Sequence, residues 1–374
     1  FSSRRRHTRY ISVTGVQTCA LPISERFIFL EYFILAEGKL WDELEKILCA
    51  KAREGVEVKI IFDDFGNIKR FSGETIDRLC EVGVEVFIFN PVHEYVNRLH
   101  FNYRDHRKIA CIDGDVAYTG GVNIADEYAN LIERFGYWKD SGVCLEGEGA
   151  WGLTASFIRM CVNLGGVMHN EHDYYRPHTP VKSEGFCQPF TDGPQNNPDN
   201  PAEDVFLQMI SGARRFLYIT TPYFIPDESL MRALCIAGDG GVDVRLMLPG
   251  KPDHWYADCV AESYFGELIK HGVKVYRYIP GFLHGKSIMV DREAAFVGSA
   301  NMDYRSFELD YECGVMVYSA PMIESLLEDM DMIVDRSHLV TAEEWAKRSV
   351  LHRVFEPLLR LFAKIGRASC RERV

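Results

Sequence analysis

The chain has 374 residues, with 54 acidic and 42 basic side chains and a net charge of −12. That balance argues against a nucleic-acid binder, which needs basic stripes to displace counterions. The length suits two domains of ordinary size, and no apolar run reaches the roughly 18 residues that a membrane-spanning helix requires. Eleven cysteines without any Cys-x-x-Cys, mostly inside apolar runs such as Ile109-Ala110-Cys111-Ile112, read as reduced buried thiols.

Both ends read poorly as protein. Ser2 to Arg9, Val13 to Ile23 and Ile365 to Val374 can all be back-translated into the DNA of common short-read sequencing adapters. We therefore set residues 1–24 and 365–374 aside and read the natural body as 25–364, a fragment. The ends together carry seven arginines and one glutamate, so the body is more acidic than the whole.

From Arg26 to Ile34, β-branched and aromatic residues predict a buried strand. Leu40 to Arg53 has the helical period, Gly55 ends it, and Val56 to Phe62 is the next strand. A helix over about Gly73 to Val82 and a strand over Val84 to Phe89 complete a strand-helix-strand-helix-strand order. That order predicts an α/β fold with a mostly parallel sheet flanked by helices. Asp63-Asp64, after the second strand, reads as a strand-ending turn. A loop over Asn90 to Asp105 leads to His106-Arg107-Lys108, Asp113, Gly120, Gly121 and Asn123. Asp140 follows on a strand predicted over Tyr137 to Leu145.

Residues 165–203 are rich in Pro, Asn, Asp and Gly and read as linker and loops. The His169 to His178 run within them has no metal-ligand spacing and reads as a solvated loop. The plan then repeats. Arg215 to Ile219 matches the stretch from Arg26 at an offset of 189. Gly241-Val242 matches Gly55-Val56 at 186, and Gly272-Val273 matches Gly83-Val84 at 189. His284, Lys286, Asp291, Gly298, Ser299 and Asn301 all follow their counterparts by 178. The domains are thus 25–164 and 204–340, related by a pseudo-two-fold with the active site between them. Residues 341–364 form a C-terminal amphipathic segment, with Trp345, Phe355 and Phe362 among Lys347, Arg348, Arg353 and Arg360. Such a segment can lie on an anionic bilayer or pack as an ordinary helix.

A His-x-Lys pair alone is a common accident; six positions repeated in register are not. His106, Lys108 and Ala110 share one face of a strand, which sets an imidazole beside an ammonium at the end of a sheet. Gly121 and Ser299 supply tight turns, and Asn123 and Asn301 supply neutral donors. We read these four as supporting or binding a substrate phosphate. Two such sets in one cleft suit a phosphodiester. Lysines and amides would stabilise charge on the non-bridging oxygens, one histidine would attack phosphorus, and the other would protonate the leaving alkoxide. The catalytic set is His106, Lys108, Asp113, His284, Lys286 and Asp291, with no cofactor and no metal. A nucleophilic histidine must be neutral and held in one tautomer. Asp140, 34 residues after His106, and Glu312, 28 after His284, are the candidate orienters. The residues do not say which histidine attacks.

The two His-x-Lys-x4-Asp motifs resemble the signature of the phospholipase D superfamily. FLEYFILAEGKLWDELEKIL, HRKIACIDGDVAYTGGVNIADEY, TPYFIPD, VRLMLPGKPD and GSANMDYRSFELDYECGV resemble bacterial cardiolipin synthases over nearly all of 25–364. The resemblance implies two phospholipase D-like domains and transfer of a phosphatidyl group from one phosphatidylglycerol to another through a phosphatidyl-histidine. It leans the nucleophile toward His106. It also implies an anionic membrane as partner and residence at the cell membrane, with N-terminal transmembrane helices that this fragment lacks. Gly285 and Asp310 depart from the family's usual residues. Rival readings are a hydrolytic phospholipase D, a phosphatidyltransferase with another alcohol acceptor, and a non-catalytic lipid-surface protein.

Overall fold

The computed structural model describes residues 9–10, 20–92, 102–175 and 185–348. The first half opens with β1 (Phe27–Tyr32), α1 (Lys39–Arg53), β2 (Glu57–Asp63), α2 (Gly73–Glu81) and β3 (Glu85–Phe89). Alternation in β1 decides its two faces. Phe27 and Phe29 enter a core shared by both halves, while Ile28, Leu30 and Tyr32 pack under α1. The α1 amide groups of Lys39 and Leu40 donate to the Asp126 carboxylate at 3.1 and 2.9 Å, and the Ser72 hydroxyl caps α2. Each half uses the same stop. Gly55, Gly83, Gly241 and Gly272 follow helices with φ of +89°, +91°, +84° and +80°, so the repeated Gly-Val pair is a left-handed helix end feeding a strand.

The first half continues through β4 (Arg104–Asp105), β5 (Lys108–Ile112), β6 (Val116–Gly120), β7 (Tyr137–Lys139), β8 (Gly142–Glu146) and α3 (Ala150–Asn163). The sheet runs β8-β6-β5-β1-β2-β3. It is parallel over β1, β2 and β3 and antiparallel from β1 to β8. The expected parallel order therefore stops at β1. Beyond it, the short turn between Ile112 and Val116 joins β5 and β6 as a hairpin.

Residues 165–203 hold more structure than a linker. β9 (Phe186–Asp192) lies there and pairs antiparallel along the edge of the second sheet. Tyr174, from the run read as a solvated loop, is buried and donates to Glu57 Oε1 at 3.0 Å.

The second half contains α4 (Pro201–Gly212), β10 (Phe216–Thr220), α5 (Glu228–Asp239), β11 (Asp243–Pro249), α6 (Trp255–Lys270), β12 (Lys274–Tyr278), β13 (Gly281–Leu283), β14 (Ser287–Val290), β15 (Ala294–Gly298), β16 (Asp310–Tyr318) and α7 (Met322–Asp335). Its sheet runs β9-β16-β15-β14-β10-β11-β12, parallel over the last three. The two sheets meet through the shared core, where Ile109, Ala117 and Val143 pack in one cluster with Met289, Val297 and Val315. Helices cover the outer faces.

Two short parallel pairings stitch the halves. β7 runs beside β13, with Lys139 opposite Leu283, and β4 runs beside β16, with Asp105 opposite Tyr311. Both sit next to the motif histidines. Of the C-terminal segment, Trp345 packs on Phe265 and Arg348 stacks on Trp345; residues 349–364 lie outside the described residues. Among the described residues no helix is long and apolar enough to cross a membrane. Leu21, within the stretch set aside at the N-terminus, is buried in the first-half core.

Candidate active site

Lys108 pairs with Tyr32 and Ser287 pairs with Thr220, so both motifs begin at the carboxyl ends of the parallel strands. That edge is where open α/β sheets bind ligands. At each motif a backbone bond crosses between the halves. His106 N–H donates to Tyr311 O at 2.9 Å, and His284 N–H donates to Lys139 O at 2.7 Å. The residue after each of those carbonyls is an acid, and it meets the imidazole. His106 Nδ1 is 2.9 Å from Glu312 Oε1, and His284 Nδ1 is 2.7 Å from Asp140 Oδ2. The orienters are thus exchanged: each half supplies the carboxylate for the other half's histidine. The single strand expected over Tyr137 to Leu145 is broken at Asp140, and the break turns that carboxylate toward His284.

With Nδ1 on a carboxylate, each ring leaves Nε2 for chemistry. Burial, helped by Lys108 and Lys286, holds the His106 imidazole well below its usual range. Burial and Lys286 push His284 down to about 4. Both rings are therefore neutral bases at pH 7. The carboxylates differ. Burial raises Glu312 to about 7. At Asp140 burial also pushes upward, but His284, Lys286 and the Ser141 N–H outweigh it and hold the group below its ordinary value.

Lys108 Nζ donates to His106 O and Lys286 Nζ to His284 O, the latter at 2.6 Å. Burial brings Lys108 down to about 8 and Lys286 to about 7.

The remaining expected site residues divide. Ser299 Oγ donates to Glu312 Oε2, so it fixes the orienter. Gly121 donates its N–H to Ser141 O at 3.0 Å. A Cβ there would lie 2.2 Å from Asp140 Oδ1, so the glycine makes room for the carboxylate. Asn123 is committed on both sides, accepting from Ile34 N–H at 3.0 Å and donating to Tyr128 at 2.8 Å. These three support the site from within the protein, whereas Asn301 Oδ1 is buried without a hydrogen-bond partner.

Asp113 and Asp291 are not brought to the imidazoles. Each is seven residues from its histidine along extended chain, roughly 20 Å at about 3.3 Å per residue. Asp113 accepts from the N–H groups of Glu25, Arg26 and Phe27. Asp291 does the same for Arg214, Arg215 and Phe216. Both tie down the start of β1 or β10.

Sequence reasoning missed the walls. Phe33 packs edge-on against His106 with ring centroids 5.1 Å apart. Tyr128, Trp138 and Phe282 surround His284 at 5.5, 5.2 and 5.6 Å. It also missed a buried ion cluster behind the first motif. Arg107 lies 2.5 Å from Glu31 and 3.0 Å from Asp105 and donates to Ser156 at 2.9 Å. Its signal was a glutamate inside the apolar strand FIFLEYF. Asp63, read as part of a turn, accepts from the Asp105 N–H at 2.9 Å and meets Arg104 at 3.3 Å. His106, Asp310 and Glu312 present donor atoms within 4.8 Å of one another, a spacing that could hold a metal ion.

The family model described as cardiolipin synthase, PLD-like domain, matches residues 24–133 and 206–334. The chain belongs to the cardiolipin synthase family. A cardiolipin synthase of Halalkalibacterium halodurans is 37% identical over 348 residues, covering 92% of this chain and 69% of the relative. One from Clostridium perfringens strain SM101 is 36% identical over 353 residues, 91% and 72% of the two chains. A protein of Streptococcus mutans without an assigned function is 37% identical over 91% of this chain and 74% of its own. Among solved structures, a phosphatidylserine synthase of Haemophilus influenzae superposes with a TM-score of 0.70 at 14% identity, over 99% of this chain and 95% of that one. At that identity the likeness shows a shared fold. As a cardiolipin synthase family member the chain is a phosphatidyltransferase, and phospholipids are its substrate class.

Proposed function

We propose that this protein transfers a phosphatidyl group from one phosphatidylglycerol to a second, forming cardiolipin and releasing glycerol. What supports the reading is the pair of neutral imidazoles, each tied through Nδ1 to a carboxylate of the opposite half and each beside a buried lysine. His106 Nε2 attacks phosphorus and the bond to the glycerol oxygen breaks; His284, which takes up a proton on Nε2 when the phosphodiester anion binds beside it, passes that proton to the leaving oxygen. The second phosphatidylglycerol then gives a hydroxyl proton to His284, its oxygen bonds to phosphorus, and the bond to His106 Nε2 breaks. Lys108 and Lys286 offset charge on the non-bridging oxygens throughout. The apolar walls slow the competing attack by water.

The assignment of His106 as nucleophile follows the superfamily resemblance, and the membrane surface is the place where both lipids are met. Product analysis on phosphatidylglycerol vesicles tests the reading. Cardiolipin plus glycerol is expected, whereas phosphatidic acid plus glycerol would make the protein a hydrolytic phospholipase D. His106→Ala and His284→Ala should each abolish turnover, and full activity in either overturns the two-histidine mechanism.

A further inference from the structure

Tyr223 and Asp253 lie on the loops that follow β10 and β11, the same strand edge from which His284 and Lys286 rise. The Tyr223 phenol donates to Asp253 Oδ2 at 2.6 Å, and His254 Nδ1 sits 2.9 Å from that oxygen. Tyr223 packs against the Tyr128, Trp138 and Phe282 wall that encloses His284. Asp253 is within electrostatic reach of the Lys286 ammonium. Its other oxygen, Oδ1, is buried and has no hydrogen-bond partner.

A buried acceptor without a donor is costly, on the order of 1–3 kcal/mol or more for a charged group, so its retention calls for an explanation. Holding the phosphodiester cannot be that explanation, because a carboxylate repels it. What the oxygen can take is a donor, and the donors that the glycerol head group of the proposed substrate brings to this cleft are hydroxyls. We propose that Asp253 Oδ1, held in place by Tyr223, receives a hydroxyl of a polyol head group and so selects glycerol-type acceptors. The inference rests on the transfer reaction proposed above.

In that reaction one head-group hydroxyl gives its proton to His284 and forms the new bond to phosphorus while the bond to His106 breaks. A second hydroxyl on the same glycerol donates to Asp253 Oδ1 and fixes which oxygen faces phosphorus. A simple alcohol can accept the phosphatidyl group but has no second hydroxyl to offer. A site built to bind a hydroxyl discriminates strongly against the analogue lacking it.

The test compares two acceptors on phosphatidylglycerol vesicles: exchange of labelled glycerol into the lipid, and transfer to 1-propanol. Wild type should prefer glycerol, and Asp253→Ala, which removes the acceptor, should lower the glycerol-to-propanol ratio roughly tenfold or more. An unchanged ratio, an equal loss on both acceptors, or a wild-type preference for propanol overturns the subsite. Should the thermal melt show that Asp253→Ala does not fold, Tyr223→Phe gives the same comparison. Without the phenol to fix Oδ2, the ratio should fall about threefold, and no fall overturns the proposal. If wild type makes phosphatidic acid and no cardiolipin, the proposed function fails, and the acceptor ratio still decides the subsite separately.

Discussion

At the level of single residues, the two lysines make the site sensitive to pH. In the free enzyme burial brings Lys286 down to about 7 and Lys108 to about 8, so raising the pH through that window should remove the charge that, in the proposed mechanism, stabilises the phosphoryl oxygens. Glu312 at about 7 gives the opposite limb, since below its pKa it is protonated and loses the charge that favours the His106 Nδ1–H contact. For a donor whose leaving group needs no proton, the expected kcat/KM profile is a narrow bell near neutrality, because kcat/KM reports groups of the free enzyme. Lys286→Arg should move the alkaline limb up toward the Lys108 value of about 8; an unmoved limb would assign it elsewhere. Gly121→Ala is the matching steric test. Its methyl would displace the Asp140 carboxylate from 2.2 Å away, so turnover should fall at least about tenfold, in line with the cost of a misplaced catalytic group, with the thermal melt little changed.

At the level of elements, each half has a buried support behind its motif, and the two supports differ in chemistry. Glu31 on β1 pairs with Arg107 in the first half. The equivalent positions in the second half are Thr220 and Gly285, where the Thr220 hydroxyl accepts from the Ser287 N–H at 3.1 Å. Arg107→Ala would leave the Glu31 and Asp105 charges buried without their partner, a loss of about 3–5 kcal/mol. Replacing the pair by the second half's residues, Glu31→Thr with Arg107→Gly, should cost less than Arg107→Ala alone when both are unfolded in urea. A larger loss in the double variant would contradict the buried-charge account. Asp291→Ala belongs to this scale too. It frees three backbone N–H groups at the start of β10, so stability should fall by about 3 kcal/mol while kcat of the folded fraction is kept.

The repeat was legible because it is a matter of local order: glycine ends, strand alternation and the motif spacing all lie within one half. The exchange of Asp140 and Glu312 was not, because an offset between two halves says nothing about how they face each other. Asp113 and Asp291 misled for a related reason. Their fixed spacing from the histidines reflects the length of a strand, with the imidazole at one end and a backbone clamp at the other. The aromatic walls carried no spacing signal, since Phe33, Tyr128, Trp138 and Phe282 come from four different loops and strands.

Across the whole molecule, the exchanged carboxylates tie each chemical step to both halves. A donor with a good leaving group, such as a p-nitrophenyl ester of phosphatidic acid, needs no proton from His284 in the first step. Asp140→Asn should therefore keep a burst of p-nitrophenol and lose steady-state turnover, while Glu312→Gln should lose the burst. Stopped-flow absorbance separates the two, and a burst lost in Asp140→Asn but kept in Glu312→Gln would reverse the roles of the histidines.

The same exchange has a consequence for the chain as it is being made. A half that has folded alone holds a histidine whose carboxylate has not yet arrived, and a carboxylate with no imidazole to hold. Reactivity thus works as a coincidence detector: it switches on only when both halves have folded and docked. A nascent or damaged molecule with only one half folded is chemically silent until then.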